Sequence, residues 1–271
     1  MKKGWFLSYT GGALIGFMMV VAILAPFLTG YDPTNMALQD RFLFPSWTHW
    51  MGTDQNGADI FAQIVFGARI SLIIAFSVVS VSLILGLVIG SLAGYMGGWV
   101  DLIIMRIIDM IYAFPGFLLV LTIAAVMQSA SIAQVVFVLC LTGWASYARL
   151  IRGEILHLKT KDYVLSADAL GASHLRKLVL YIWPNLVGPV MIQASFGMAV
   201  TIITESSLSF LGIGVPPSTP TWGSLLNSGR SFLLEAPYMS VFPGIALLIL
   251  VLGFNLLGDG LRDILDPKNN S

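Results

Sequence analysis

The chain holds one cysteine, Cys140, and three histidines, His49, His157 and His174, in 271 residues. A single thiol excludes an internal disulfide and a cysteine-based metal cluster. All three histidines fall in polar segments, which argues against a metal centre or proton relay inside the apolar runs. Charge is scarce as well: 10% of residues are Asp, Glu, Lys or Arg, against about 25% in soluble domains. Fourteen basic and fourteen acidic residues cancel, so no electrostatic argument for a nucleic-acid partner survives. The sequence contains no G-x-x-x-x-G-K-[ST] phosphate loop, no H-E-x-x-H and no G-x-S-x-G, the signatures of nucleotide binding, zinc hydrolysis and serine hydrolysis.

What the chain has is apolar length. At 57% hydrophobic it is expected to be an all-α integral membrane protein, because only helices that satisfy their own backbone can cross hydrocarbon unpaired. About 20 residues span a hydrocarbon core of about 30 Å. Spans are predicted near 11–29, 70–93, 108–127, 133–150, 185–211 and 239–258. The third and fourth share a stretch without charge from Met110 to Ala148, divided by the polar break QSASIAQ at 128–134. The uncharged run from Gly4 to Tyr31 is too long for a typical signal-peptide core, so an uncleaved first span is expected.

Six crossings put both termini on one side. With the N-terminus inside, Lys2, Lys3, Arg106, Arg149, Arg152, Lys159, Lys161, Arg176, Lys177, Arg262 and Lys268 are cytoplasmic, while Arg41, Arg69 and Arg230 are outside. The excess of inner positive charge predicts a multi-pass protein of the cytoplasmic membrane with both termini cytoplasmic. Residues 1–69 read as a first helix plus an extracytoplasmic loop, and 70–271 as a five-helix core. The loops at 30–69 and 212–238 face outside. Phe42, Phe44, Trp47 and Trp50 suit the interface, and Pro216, Pro217 and Pro220 disfavour regular helix in the second loop.

The polar stretch from Arg149 to Pro184 lies between two spans. Tyr163, Ser166, Ala167 and Leu170 recur at helical spacing on one face, with small residues that let another surface approach. Gly171 permits a turn. Leu175, Leu178, Val179 and Ile182 form a second apolar face with Arg176 and Lys177 turned away, and Pro184 is expected to end that helix. Two Phe-Pro-Gly repeats, with Pro115–Gly116 and Pro243–Gly244, are kink or gate candidates within spans. Glu205, near the outer end of span five, needs a partner or water; a structural hydrogen bond and a pore-lining role are both open. Arg106 and Asp109, three residues apart, are expected to pair within their helix.

These segments resemble the permease subunits of binding-protein-dependent ATP-binding cassette importers. That family carries a cytoplasmic loop of the form E-A-A-x-x-x-G-x9-I-x-L-P, matched here by Leu165, Ser166, Ala167, Gly171, Tyr181, Trp183 and Pro184. Leu165 and Ser166 replace the Glu and first Ala, and Tyr181 and Trp183 replace the Ile and Leu. GTDQNGAD, with Gly52, Thr53, Asp54, Gly57 and Asp59, is similar to the G-T-D-x-x-G-R-D segment of the dipeptide, oligopeptide and nickel branch, with Ala58 for its Arg. ESSLSFLGIGVPPSTPTWGSLL from Glu205, including Trp222, matches a further segment of that branch.

The resemblance implies a six-helix type I importer permease fold that forms half of a translocation pore for peptides or related solutes such as nickel complexes. It implies coupling to the ATPase through 160–184 and an extracytoplasmic rim at Gly52, Thr53, Asp54, Gly57, Asp59 and Trp222. The partners it implies are a second homologous permease, two ATP-binding subunits that hold ATP and Mg, an extracytoplasmic solute-binding protein and the bilayer; the chain itself is a non-catalytic subunit and needs no cofactor. An ion-coupled secondary transporter is the alternative, but it would place charged coupling groups at midplane, and the spans show no such set. An intramembrane hydrolase lacks its motifs.

Overall fold

The structure is a computed structural model and describes residues 2–127, 131–216 and 218–265; Pro217 and Lys268 lie outside the described residues, as do 128–130 of the expected polar break. The described residues are helical apart from loops and one isolated bridge, Thr53 to Asp59. In chain order the helices are α1 (Lys2–Ile23), a single turn α2 (Ala25–Leu28), α3 (Ile60–Met96), α4 (Gly98–Tyr112), α5 (Gly116–Met127), α6 (Ile132–Leu158), α7 (Asp162–Ala169), α8 (His174–Lys177), α9 (Trp183–Phe210), α10 (Trp222–Gly229) and α11 (Tyr238–Leu265). Five segments among the described residues are long and apolar enough to cross a membrane, α1, α3, α6, α9 with the turn before it, and α11; the bent α4–α5 pair makes the sixth.

Local chemistry sets the starts and stops. The Asp59 carboxylate accepts from the Ala62 amide at 2.7 Å and caps α3, answering one of the unpaired N–H groups of a helix start. Gly97 and Gly98, both with positive φ, release the chain from α3 into α4. The Ser131 hydroxyl caps α6, and Thr221 with Ser224 forms a reciprocal capping box on α10.

Four expectations need correction. Spans two and four run on beyond the bilayer: α3 begins at Ile60, inside the expected outer loop and ahead of the expected 69/70 division, and α6 continues to Leu158. Thirty-seven residues make α3 about 55 Å long, well over the hydrocarbon thickness. Span three is not one rod but two limbs bent by 84° at Ala113–Pro115, because Pro115 biases Phe114 away from helix and cannot donate a ladder bond. The same Phe-Pro-Gly in α11 leaves Pro243 inside an unbroken helix, about one turn from its start. Pro184 does not end a helix either. The chain widens into a π-turn at Leu178–Ile182, where the Trp183 amide reaches back to the Leu178 carbonyl, and the extra residue accommodates the proline ring as α9 begins. The outer loop at 212–238, expected to avoid helix, contains α10 after its prolines.

The helices pack through small residues. Gly86, Gly90 and Gly94 lie at four-residue spacing on α3 and meet α6. A Cβ at Gly90 would stand 2.6 Å from the Ala148 carbonyl oxygen, and one at Gly94 3.0 Å from that of Arg152. Such close backbone approach is how helices associate where lipid removes the hydrophobic drive. A second seam joins α1 to α11, with Gly11 against the Gly253 carbonyl. Ile64, Leu72, Ile151, Ile202 and Leu250 fill the core between them.

Gly90→Leu is expected to destabilise the purified protein by about 1–3 kcal/mol through overpacking, read as a lower thermal midpoint in detergent. Gly12→Leu, whose site has nothing within 4 Å, is expected to leave the midpoint unchanged. Equal midpoints for the two variants would show that the seam does not hold α3 to α6.

Candidate functional site

The helix pair α7–α8 is built on a glycine turn. Gly171 sits at φ +79, its amide donates to the Asp168 carbonyl at 2.9 Å, and the Ala172 amide donates to the Ala167 carbonyl at 3.0 Å. These two bonds form the Schellman closure of a helix C-terminus. A Cβ at Gly171 would meet open space, so the requirement for glycine is backbone conformation rather than room. The Ser173 hydroxyl then accepts from the Arg176 amide at 3.4 Å to cap α8.

The faces differ from the expected ones. Val164 and Ala167 turn inward, while Tyr163, Leu165, Ser166 and Leu170 face out. Leu170 and Leu175 are 88% and 69% exposed. Lys177 does not point away from the apolar face; it is buried, its ammonium bonded to the Asp168 carboxylate and set over the Tyr95 ring. An ammonium without that carboxylate would carry an uncompensated desolvation cost. The Lys177 ammonium holds the Asp168 carboxyl below the usual carboxylate range.

Two contacts tie this unit to the end of α3, and two more tie the flanking ends of α9 and α6 to it. The Tyr95 hydroxyl meets His174 Nδ1 at 2.8 Å, and the Lys177 ammonium lies 6.0 Å from the centre of the Tyr95 ring. The Trp183 indole N–H donates to Ser91 Oγ at 3.1 Å, and Lys159 Nζ donates to the Gly94 carbonyl at 3.2 Å. The extension of α6 holds α4 in turn. Arg152 makes a forked pair with Asp101, and Arg149 reaches Asp109 at 2.7 Å while stacking over Tyr112. Asp109 therefore pairs across helices, and the expected Arg106–Asp109 pair does not form.

At the opposite end the expected rim residues come together, but their side chains point inward. Thr53, Asp54, Asp59 and Trp222 are all buried. Asp54 accepts from the Asn56 and Ala58 amides and from the Gln63 side chain at 2.8–2.9 Å. His49 Nδ1 lies 2.9 Å from Asp59. Gly52 and Gly57 adopt the positive φ that the turn needs, and Trp222 donates to the Ile64 carbonyl at 3.0 Å across Gly67. This cluster braces the start of α3 rather than offering those side chains to a partner. Glu205 is likewise enclosed, accepting from Ser209 at 2.9 Å and from Ser71 and Ser206 at 3.4 Å.

Between these two ends lies a cavity of about 490 Å³, walled by α3, the α4–α5 bend, α6 and α9. Gly116 lines it; Pro115, Glu205, Pro243 and Gly244 do not. Among the described residues, no Asp, Glu, Lys, Arg or His lines it. No group of metal-ligating side chains occurs among the described residues.

A polar helix pair braced against membrane-length helices, with an uncharged cavity between the two ends, is an arrangement that suits a membrane permease. Residues 86–271 match the family model for the inner membrane component of binding-protein-dependent transport systems, and the chain belongs to that family. Its fold is that of a type I importer permease, and it is the permease subunit of an ATP-binding cassette importer. It is 42% identical over 98% of its length, and 88% of the relative's, to a glutathione transport system permease protein of Pectobacterium atrosepticum. It is 38% identical to dipeptide transport system permease proteins of Alkalihalophilus pseudofirmus and Haemophilus influenzae, over 98% and 99% of this chain and 87% and 95% of theirs.

Because Asp168 titrates below its ordinary value in the folded state, its bond to Lys177 is fully present above the ordinary value of about 3.9 and is lost as pH falls through the lower folded value. Protection of the α7 and α8 amides, taken relative to the intrinsic exchange rate at each pH, should therefore fall below about pH 4. Asp168→Asn should lower that protection at neutral pH and remove its acid dependence. An unchanged exchange pattern in Asp168→Asn would show that the pair does not order the unit.

Proposed function

We propose that this chain forms one half of a translocation pathway for short peptides or related solutes, with a second homologous permease supplying the other half. The α7–α8 end faces the cytoplasm together with both termini, as the excess of positive charge at that end supports. Two partner subunits bind ATP and Mg and hydrolyse the nucleotide; this chain contributes no catalytic group and no cofactor site. A solute-binding protein delivers cargo at the outer loops. Relatives named for dipeptide and for glutathione transport support a peptide-like cargo.

The observation that carries the coupling role is the pair of contacts that His174 and Lys177 of α8 make with Tyr95, flanked by Lys159 on Gly94 and Trp183 on Ser91. Leu165, Ser166 and Leu170 offer an exposed apolar and small surface for an ATPase, while Ala167 supports it from behind. Leu165 cannot form the ion pair that a Glu would make there, so docking rests on shape. Movement of the docked pair is passed through Tyr95 and Trp183 to α3, and through Arg149 and Arg152 to α4. The break at Pro115–Gly116 lies on the far side of α4, where a rocking limb would widen or narrow the cavity. Pro243 and Gly244 lie inside a continuous helix and are left out of the moving part, and Glu205 serves as a buried tie between α3 and α9. The bracing of Gly52, Thr53, Asp54, Gly57, Asp59 and Trp222 keeps the outer rim in shape for the binding protein. A self-sufficient ion-coupled carrier is disfavoured by the uncharged lining of the cavity.

Ser166→Cys is expected to crosslink to a cysteine placed on the cognate ATPase, with a yield that changes between nucleotide-free and ATP-bound complex. Gly171→Ile, forced into a left-handed backbone at a cost of about 1–2 kcal/mol, should insert normally and lose most ATP-driven uptake. Uptake and coupled hydrolysis at wild-type levels in Gly171→Ile, with no crosslink at Ser166→Cys, would overturn the docking assignment.

A further inference from the structure

We propose that a groove between α1 and α3, headed by Arg69, seats one phospholipid of the leaflet remote from α7–α8, with preference for a headgroup of net negative charge. The groove has a volume of about 510 Å³, within the size range of ligand sites, about 300–1,000 Å³. Met19, Ala22 and Ile23 form its α1 wall, and Arg69, Ile73 and Phe76 recur along its α3 wall at helical spacing.

Depth in the membrane follows from both walls. The groove lies beside the last turn of α1, whose apolar span ends at Ile23. On α3, Arg69 is the last charge before an uncharged stretch from Ile70 to Val100, so it stands where headgroups give way to hydrocarbon. Helical side chains tilt toward the N-terminus of their helix, which directs the Arg69 guanidinium toward the Ile60 end and the headgroups. Ile73 and Phe76 lie about 6 and 10 Å deeper along the axis, so the groove follows most of one leaflet, about 15 Å thick.

Charge and surface then select the occupant. Among the described residues Arg69 forms no hydrogen bond, ion pair or ring contact. An unpaired cation at the edge of the hydrocarbon is costly, and a phosphodiester answers it with two acceptors in the geometry a guanidinium fits. Below the cation the surface is apolar and open: Ile23, Ile73 and Phe76 are 73%, 48% and 43% exposed. A free phosphate covers none of that surface, whereas an acyl chain lies along it. No Asp or Glu among the described residues lines the groove, so the ammonium of a zwitterionic headgroup gains no partner there. The bound lipid touches α1 and α3 together, in the half of α1 beyond the contacts of Gly4 and Gly11 with α11.

The test places the assembled complex in nanodiscs of equal phosphatidylglycerol and phosphatidylethanolamine, and reads retained lipids and subunit content together by native mass spectrometry. Wild type should retain one more phosphatidylglycerol per complex than Arg69→Gln, chosen over phosphatidylethanolamine about fivefold, the effect of one cation near an anionic headgroup. Arg69→Lys should keep that lipid. Ile73→Trp, made at an exposed side chain, should expel it with the cation still in place. A photo-activated label on Phe76→Cys, in a Cys140→Ser background, should crosslink to lipid. Equal retention by wild type and Arg69→Gln would overturn the inference, and so would retention unchanged by Ile73→Trp, which would leave Arg69 as a general headgroup contact without a seat below it. A crosslink from position 76 to another subunit in place of lipid would overturn the occupant and mark the groove as a protein contact.

Discussion

The close approach of α3 and α6 along Gly86, Gly90 and Gly94 is the contact on which the rest depends. Lipid gives no reward for burying apolar side chains, so two spans stay together by backbone proximity and dispersion. Once they are joined, the overhanging ends of both helices are fixed relative to each other. The α6 overhang then holds α4 through Arg149 and Arg152, and the α3 overhang receives α8 at Tyr95 and the flanking Lys159 and Trp183 at Gly94 and Ser91. Polar contacts that would be weak singly in water act here as a set on a rigid base.

The two ends use ionisable residues differently. At the loop end, Asp54 and Asp59 satisfy backbone amides and lock a turn, while Glu205 gathers hydroxyls from α3 and α9. At the other end, carboxylates and cations bridge between helices. Among the described residues, the cavity between them has no ionic group in its lining. Stiff ends around an uncharged hollow suit a protein that takes up work at one end and changes shape in the middle.

Much of the fold was legible because membrane thickness sets a length that apolar runs either meet or miss. The positions of α9 and α11 followed from that, and so did the turn at Gly171, because its flanking faces change register there; α1 instead begins at Lys2, nine residues before the expected start of the first span. Helix ends were less legible: α3 and α6 run past the bilayer on side chains such as Gln63 and Arg152, which a span count treats as loop. The bend at Pro115 and the continuation through Pro184 were not separable by sequence, since both begin with a proline in an apolar setting. A local π-turn, decided by tertiary packing, makes the difference. Lys177 was read as solvent-facing because its partners, Asp168 and Tyr95, lie nine and eighty-two residues away. The Gly86, Gly90, Gly94 repeat was a signal present in the sequence at four-residue spacing, and it could have been found by searching for small residues at that period.

The central claim is that α7–α8 and the end of α3 move as one body while the cavity changes shape around the α4–α5 bend. Spin-label distances in the assembled complex test it directly, with labels at Ala169→Cys and Met96→Cys for the first relation and at Phe117→Cys and Val200→Cys for the second, each in a Cys140→Ser background. Between nucleotide-free and ATP-bound states the 169–96 distance distribution should stay fixed and the 117–200 distribution should shift. A shift between 169 and 96 with no change between 117 and 200 would contradict the account.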